Sequence, residues 1–272
     1  MSVLNHLSNT SSSLVLSSLE KSSIDTSIST LRTRLNDWFG SDIKEQIKFG
    51  SSTRGTILPR KADVRSDIDY MIVFDNEGNY KPQTFITRLK KFAEAKYSTS
   101  EIHQSHPTVV LMLNHIKFDL VPAYKSGWID STLIPAPDTD FTDWISTDPN
   151  GFNKELSDKN NTHNSLIKPM VRLVKYWNAI NNYVYYSFEL EKSLIGISYW
   201  TCSNLKDYFF EAVKYLPTWS LPQYKLDKVQ RAQDIVVKTQ EYLDDNRPYA
   251  AEAECKRELT MYRNWQIRMY EK

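Results

Sequence analysis

Apolar residues at Ile24, Ile28, Leu31, Leu35 and Trp38 recur at helical spacing and predict a helix over Ser22–Phe39, ended by Gly40. Residues 1–30 are rich in Ser and Thr. Val3, Leu4, Leu7 and Leu14 nevertheless keep a helical rhythm, so a helix is expected there in preference to a mobile arm. The pattern then shortens. Ile43–Phe49 and Ile68–Phe74 are predicted strands, Pro82–Tyr97 is a helix with Phe85, Leu89, Phe92 and Ala93 on one stripe, and Thr108–Leu113 pairs with Ile116–Ala123 as a hairpin about Asn114-His115. Pro122, Pro135, Pro137 and Pro149 mark an irregular connector that Trp128 and Trp144 are expected to pack down. From Gly151 onward the rhythm is helical. Asn164–Asn178 carries Ile167, Met170, Val171, Val174 and Trp177 on one stripe, and further helices are expected over Phe188–Phe210, Leu226–Leu243 and Tyr249–Tyr270.

A chain of 272 residues can bury a sizeable core in one large domain or two lobes. The formal net charge of +1 provides no global basic field for long nucleic acid, although a local basic groove stays open. Cys202 and Cys255 lack metal spacing and suit a reducing compartment. No apolar run approaches a membrane span, and no charged segment precedes an apolar core near residue 1, so a cytoplasmic protein is expected.

The candidate chemistry lies in KFGSSTRGTILPRKADVRSDIDYMIVFD (48–75). Gly50-Ser51 turns the chain, and Ser52–Thr56 is expected to start a short helix whose N–H groups face that turn, as an anion site requires. Asp67 and Asp69 are two apart on a strand and share a face, while Ile68, Met71 and Val73 are expected to need a core elsewhere. Adjacent carboxylates raise each other's pKa, and such a pair is tolerable around a hard cation such as Mg²⁺. A lone Asp-x-Asp is more often a cap or turn. Here Asp119 adds a third acid in an otherwise apolar strand, with Lys117 and Val121 on its face, and a three-carboxylate site is the better reading. Arg60, Lys61 and Arg65 are read equally as a solvated run or as contacts to a triphosphate; Lys168, Arg172 and Lys175 form either a charged outer face or a phosphate contact. His103 and His106 have no partner set for zinc, and no G-x-S-x-G or Walker A pattern occurs.

Gly50-Ser51, Asp67-Ile68-Asp69 and Asp119 resemble the signature of the DNA polymerase β-like nucleotidyltransferases. RLVKYWN (172–178), YYSFELEK (185–192) and WISTDPNGF (144–152) narrow this to the bacterial cGAS/DncV-like group, the CD-NTases, over roughly residues 40–200. The resemblance implies an α+β fold in a two-lobed cage: a long N-terminal helical brace (1–40), a mixed-sheet catalytic core (41–150) and a helical lobe (151–272). It implies that Gly50 and Ser51 hold the donor triphosphate. Asp67 and Asp69 would bind two Mg²⁺ ions, for which Mn²⁺ can substitute, with Asp119 binding the one that activates the attacking hydroxyl. Lys175 would contact phosphate, Ser187 would add a polar contact, and Phe188 would stack on a base where relatives often carry Tyr. The implied activity is synthesis of a cyclic oligonucleotide antiphage signal from NTPs, ATP among them, under a regulatory protein or activating ligand. An RNA end, a small molecule or a protein as acceptor is the alternative.

Overall fold

The computed structural model describes residues 2–76, 78–105, 107–126, 131–136 and 143–260. Trp128, His106, Pro137 and the 261–270 portion of the last expected helix lie outside these residues. Contacts divide the chain into two compact units. A sheet unit comprises Leu16–Arg60 and Val64–Glu155, and a helical unit comprises Met1–Val15, Lys61–Asp63 and Leu156–Lys272.

The sheet unit starts with α2 (Ser18–Phe39), which follows α1 (Val3–Ser13) of the other unit. Helix α2 begins four residues before its expected start because Ser17 and Glu20 form a capping box, each side chain bonding the other's backbone N–H. Strand β1 (Ile43–Phe49), the single turn α3 (Ser51–Arg54), β2 (Asp67–Phe74) and α4 (Pro82–Lys96) follow, then β3 (Glu101–Ser105), β4 (Thr108–Met112), β5 (Lys117–Ser126), β6 (Ser131–Pro135) and β7 (Trp144–Thr147). The sheet order is β1-β2-β5-β4-β3, with β6 added to β5 and β7 to β6. It is mixed, since β2 and β5 run parallel and the other pairs antiparallel.

The irregular connector expected after Pro122 is thus partly sheet. Pro122 sits on β5 between the residues that pair with β4 and those that pair with β6, a gap where a missing N–H is tolerated. Trp144 does pack the segment down, with its ring 4.8 Å from Tyr124 and 5.7 Å from Phe85.

One sheet face carries Ile68, Tyr70, Ile72, Phe74, Phe118 and Leu120. It is buried beneath Leu31 and Leu35 of α2 and Phe85, Leu89 and Phe92 of α4. Met71 and Val73 do not join Ile68 there. They share the aspartates' face and make a small separate cluster with Ala123, because positions two apart on a strand point the same way. The carboxylates therefore stand at the end of a lightly apolar face.

The helical unit packs around α6 (Ile167–Ile180), whose Met170, Val171, Leu173, Val174 and Trp177 are fully buried. Helices α5 (Gly151–Thr162), α7 (Ser187–Gly196), α8 (Leu205–Lys214), α9 (Gln223–Asp244) and α10 (Pro248–Thr260) complete it. Helix α1 belongs here, with Val3 and Leu7 buried and the Ser11 hydroxyl donating to the Pro169 carbonyl at 3.3 Å. Residues 1–40 are consequently divided between the two units, α1 belonging to the helical unit and α2 to the sheet unit. The single helix expected over Phe188–Phe210 is two. α7 ends at Gly196, and Asn204 starts α8 by accepting from the Lys206 and Asp207 N–H groups, a local bond that competes with a continuous helix.

Candidate active site

The parallel pairing of β2 with β5 puts Asp67 opposite Lys117 and Asp69 opposite Asp119. Directly paired residues share a face, so Asp67, Asp69, Lys117 and Asp119 form a two-by-two array. The next strands extend the Asp69–Asp119 row through Val110 to His103. Sequence reasoning placed the three aspartates correctly on one face; the strand register supplies their proximity.

Gly50 closes on this array. It has φ 72° and ψ −156°, and a Cβ built there would lie 1.8 Å from Asp69 Oδ2. Only glycine suits both demands. The helix that follows is the four-residue α3, in which the Ser52 hydroxyl donates to the Phe49 carbonyl and the Thr53 hydroxyl to the Gly50 carbonyl. These bonds fix the Gly50-Ser51 turn at the end of β1. Arg54, at the end of α3, is buried.

Burial, followed by the charges of Asp67 and Asp119, pushes the Asp69 carboxyl up to about 7, against a smaller pull downward from Arg54 and Lys117. Burial and then the Asp67 charge push Asp119 up to about 6, opposed by Lys117 and His103. The Lys117 ammonium lies 2.9 Å from Asp67 Oδ2 and 3.2 Å from each oxygen of Asp119. Its pKa is raised: the two carboxylates outweigh the burial that acts against its charge. The face is short of positive charge.

The chemistry of the donor set suits a divalent cation: three carboxylates on one face supply the oxygens a hard ion prefers. Asp119 Oδ1 is buried with no hydrogen-bond donor, although the ammonium is within ion-pair distance. Among the described residues, no three acidic, imidazole or thiol side chains already stand in position to share one ion. Lys117 binds two of the three candidate ligands instead.

The remaining expected residues belong to the helical unit. Lys175 is not on a solvated face. Its side chain is 6% exposed and pairs at 2.7 Å with Glu191, which is fully buried. Position 175 lies close enough to the Met170–Trp177 stripe to turn inward, and Glu191 on α7 stabilises its charge there. Ser187 opens α7 on the surface, and Phe188 beside it is 45% exposed with the Lys192 ammonium 5.7 Å from its ring. Of the other open readings, Arg172 is partly buried, which lowers its pKa, and Arg60 donates to the Leu113 and Val64 carbonyls.

Sequence reasoning missed Lys117 and Arg54 as members of the site. The signal for Lys117 was present, since it is two residues before Asp119 on the same strand face. Arg54 carried no such signal, because its burial depends on how α3 folds back.

Residues 1–160 match the family model of the Second Messenger Oligonucleotide or Dinucleotide Synthetase domain. No curated protein matches the chain in sequence. Solved structures match over nearly the full length. Vibrio cholerae DncV cyclic AMP-GMP synthase, in complex with nonhydrolyzable GTP, is similar with a TM-score of 0.74 at 12% identity, over 92% of this chain and 92% of that one. Escherichia coli MS115-1 CdnC with ATP is similar with a TM-score of 0.68 at 14% identity, over 94% and 96%. The same CdnC in complex with HORMA-deltaN gives 0.64 at 14% identity, over 90% and 92%.

Proposed function

Because the chain belongs to the Second Messenger Oligonucleotide or Dinucleotide Synthetase family, a group of cGAS/DncV-like nucleotidyltransferases, we propose that it joins NTPs, ATP among them, into a cyclic oligonucleotide that serves as an antiphage signal in the cytoplasm. The observation that carries this reading is the register that sets Asp69 beside Asp119, with Gly50 closed against Asp69. No helix among the described residues is long and apolar enough to cross a membrane, in keeping with a cytoplasmic setting.

In this reading a ribose hydroxyl attacks the α-phosphate of an NTP and pyrophosphate leaves. Asp67, Asp69 and Asp119 would hold two Mg²⁺ ions, for which Mn²⁺ could substitute, and such ions would supply positive charge to the displacement. Asp119 receives the proton of the attacking hydroxyl as general base. Gly50 and Ser51 lie against the triphosphate, since a residue without a side chain lets backbone approach an anion closely. Ser187 and Phe188, exposed on α7, are the polar contact and the stacking surface for a base.

Lys175 is the phosphate contact that needs the largest adjustment, because it must loosen from Glu191 to reach a ligand. A regulatory protein is a further part of the proposal, supported by the similar CdnC structure in complex with HORMA-deltaN.

The test is the double substitution Asp67→Asn with Asp69→Asn. It is expected to abolish nucleotide transfer and leave the circular dichroism and the melting cooperativity of the protein intact. Transfer that survives in the double variant would contradict the assignment of the site.

A further inference from the structure

Lys117 is the one residue of the two-by-two array that the proposed chemistry does not use. It opens β5, opposite Asp67 in the ladder, and its side chain is 20% exposed. Its ammonium touches Asp67 and both oxygens of Asp119, two of the three residues proposed to hold metal. A carboxylate lone pair cannot serve an ammonium and a divalent ion at once. The buried Asp119 Oδ1 shows what the ammonium leaves undone, since it is close to a cation and accepts no hydrogen bond.

Lysine suits a contact that has to be given up. It is a compact charge on a flexible four-carbon stem, whereas arginine would bind the two carboxylates through a rigid fork. Lys117 also stands at the first position of its strand, with its side chain partly exposed.

Resting on the metal reading above, we propose that Lys117 is a resident counter-cation: it holds Asp67 and Asp119 together in the metal-free protein, and a divalent ion must displace it to bind. Two consequences follow. Without metal, Lys117 limits the repulsion among three carboxylates. With metal, its displacement weakens the affinity of the site, so that a loaded site requires a high local concentration of divalent ion, such as a metal–NTP complex provides.

The probe is Mn²⁺, with free ion measured by electron paramagnetic resonance in the absence of nucleotide. Lys117→Met is expected to bind Mn²⁺ at least about tenfold more tightly than wild type. It is also expected to melt at a lower temperature without metal and to gain more from saturating Mn²⁺. Lys117→Arg is expected to bind more weakly than wild type. If Lys117→Met does not fold, Lys117→Gln carries the same expectation. Affinity that is unchanged or weaker in Lys117→Met or Lys117→Gln, while Asp69→Asn still loses binding relative to wild type, would overturn the role of Lys117 alone. Wild-type binding no different from that of Asp69→Asn would overturn the metal reading and this inference with it.

Discussion

A side chain at position 50 would meet Asp69 at once, in a backbone conformation that L-residues rarely adopt. Gly50→Ala is therefore expected to lower nucleotide transfer by at least about a hundredfold, because it displaces both the turn and a proposed metal ligand. The stability loss should be smaller, about 1–3 kcal/mol by thermal melting. Asp69 supplies a second residue-scale prediction. Its folded pKa of about 7 lies above the usual 3.8, so the native state binds a proton that the unfolded state has released. Stability from this group is fully present below the unfolded value and is lost as pH rises through the window from about 4 to about 7. Asp69→Asn removes the charge and should make the metal-free protein more stable than wild type at pH 8, by about 4 kcal/mol. The gain should vanish near pH 4. A denaturant midpoint measured at both pH values checks it, and equal differences would contradict a buried, charge-crowded carboxyl.

At the scale of elements, the ladder between β2 and β5 makes the site. Each strand could be read from its apolar alternation, and so could the face on which each aspartate lies. The register could not, because a crossover containing α4, β3 and β4 separates the two strands and nothing local fixes which residue meets which. The Phe188–Phe210 segment was illegible for another reason: its aromatic density masks the Asn204 cap that divides it. The buried Lys175–Glu191 pair joining α6 to α7 is a third element-scale feature. Lys175→Met should destabilise the protein by about 3–5 kcal/mol, since it removes the cation that pairs with the buried Glu191 carboxylate. Lys175→Met with Glu191→Leu should recover most of that loss. Nucleotide transfer in the stable double variant then reports on phosphate contact alone, and the proposal expects it to stay low. At the other end of the chain, Ser17→Ala should cost about 1 kcal/mol by breaking the α2 capping box.

At the scale of the whole molecule, strands interrupted by one long helix before residue 151 and a helical stretch after it were legible from periodicity, whereas the α+β cage with a mixed sheet followed from the family resemblance. The division of the N-terminal region was not legible. Helices α1 and α2 are both amphipathic, and periodicity does not say which core each will join. The three carboxylates were legible as residues, whereas the ammonium that binds two of them was read only as sharing a strand face with Asp119 and not as part of the site.

The proposed reaction of this array is the joining of NTPs into a closed oligonucleotide. The most direct measurement incubates the purified protein with labelled ATP, GTP, CTP and UTP, singly and mixed, with Mg²⁺ or Mn²⁺, followed by phosphatase. A small phosphatase-resistant product that disappears in the Asp67→Asn, Asp69→Asn variant is expected. Label that is wholly released by phosphatase, with transfer appearing only when an RNA, a small molecule or a protein acceptor is added, would contradict it.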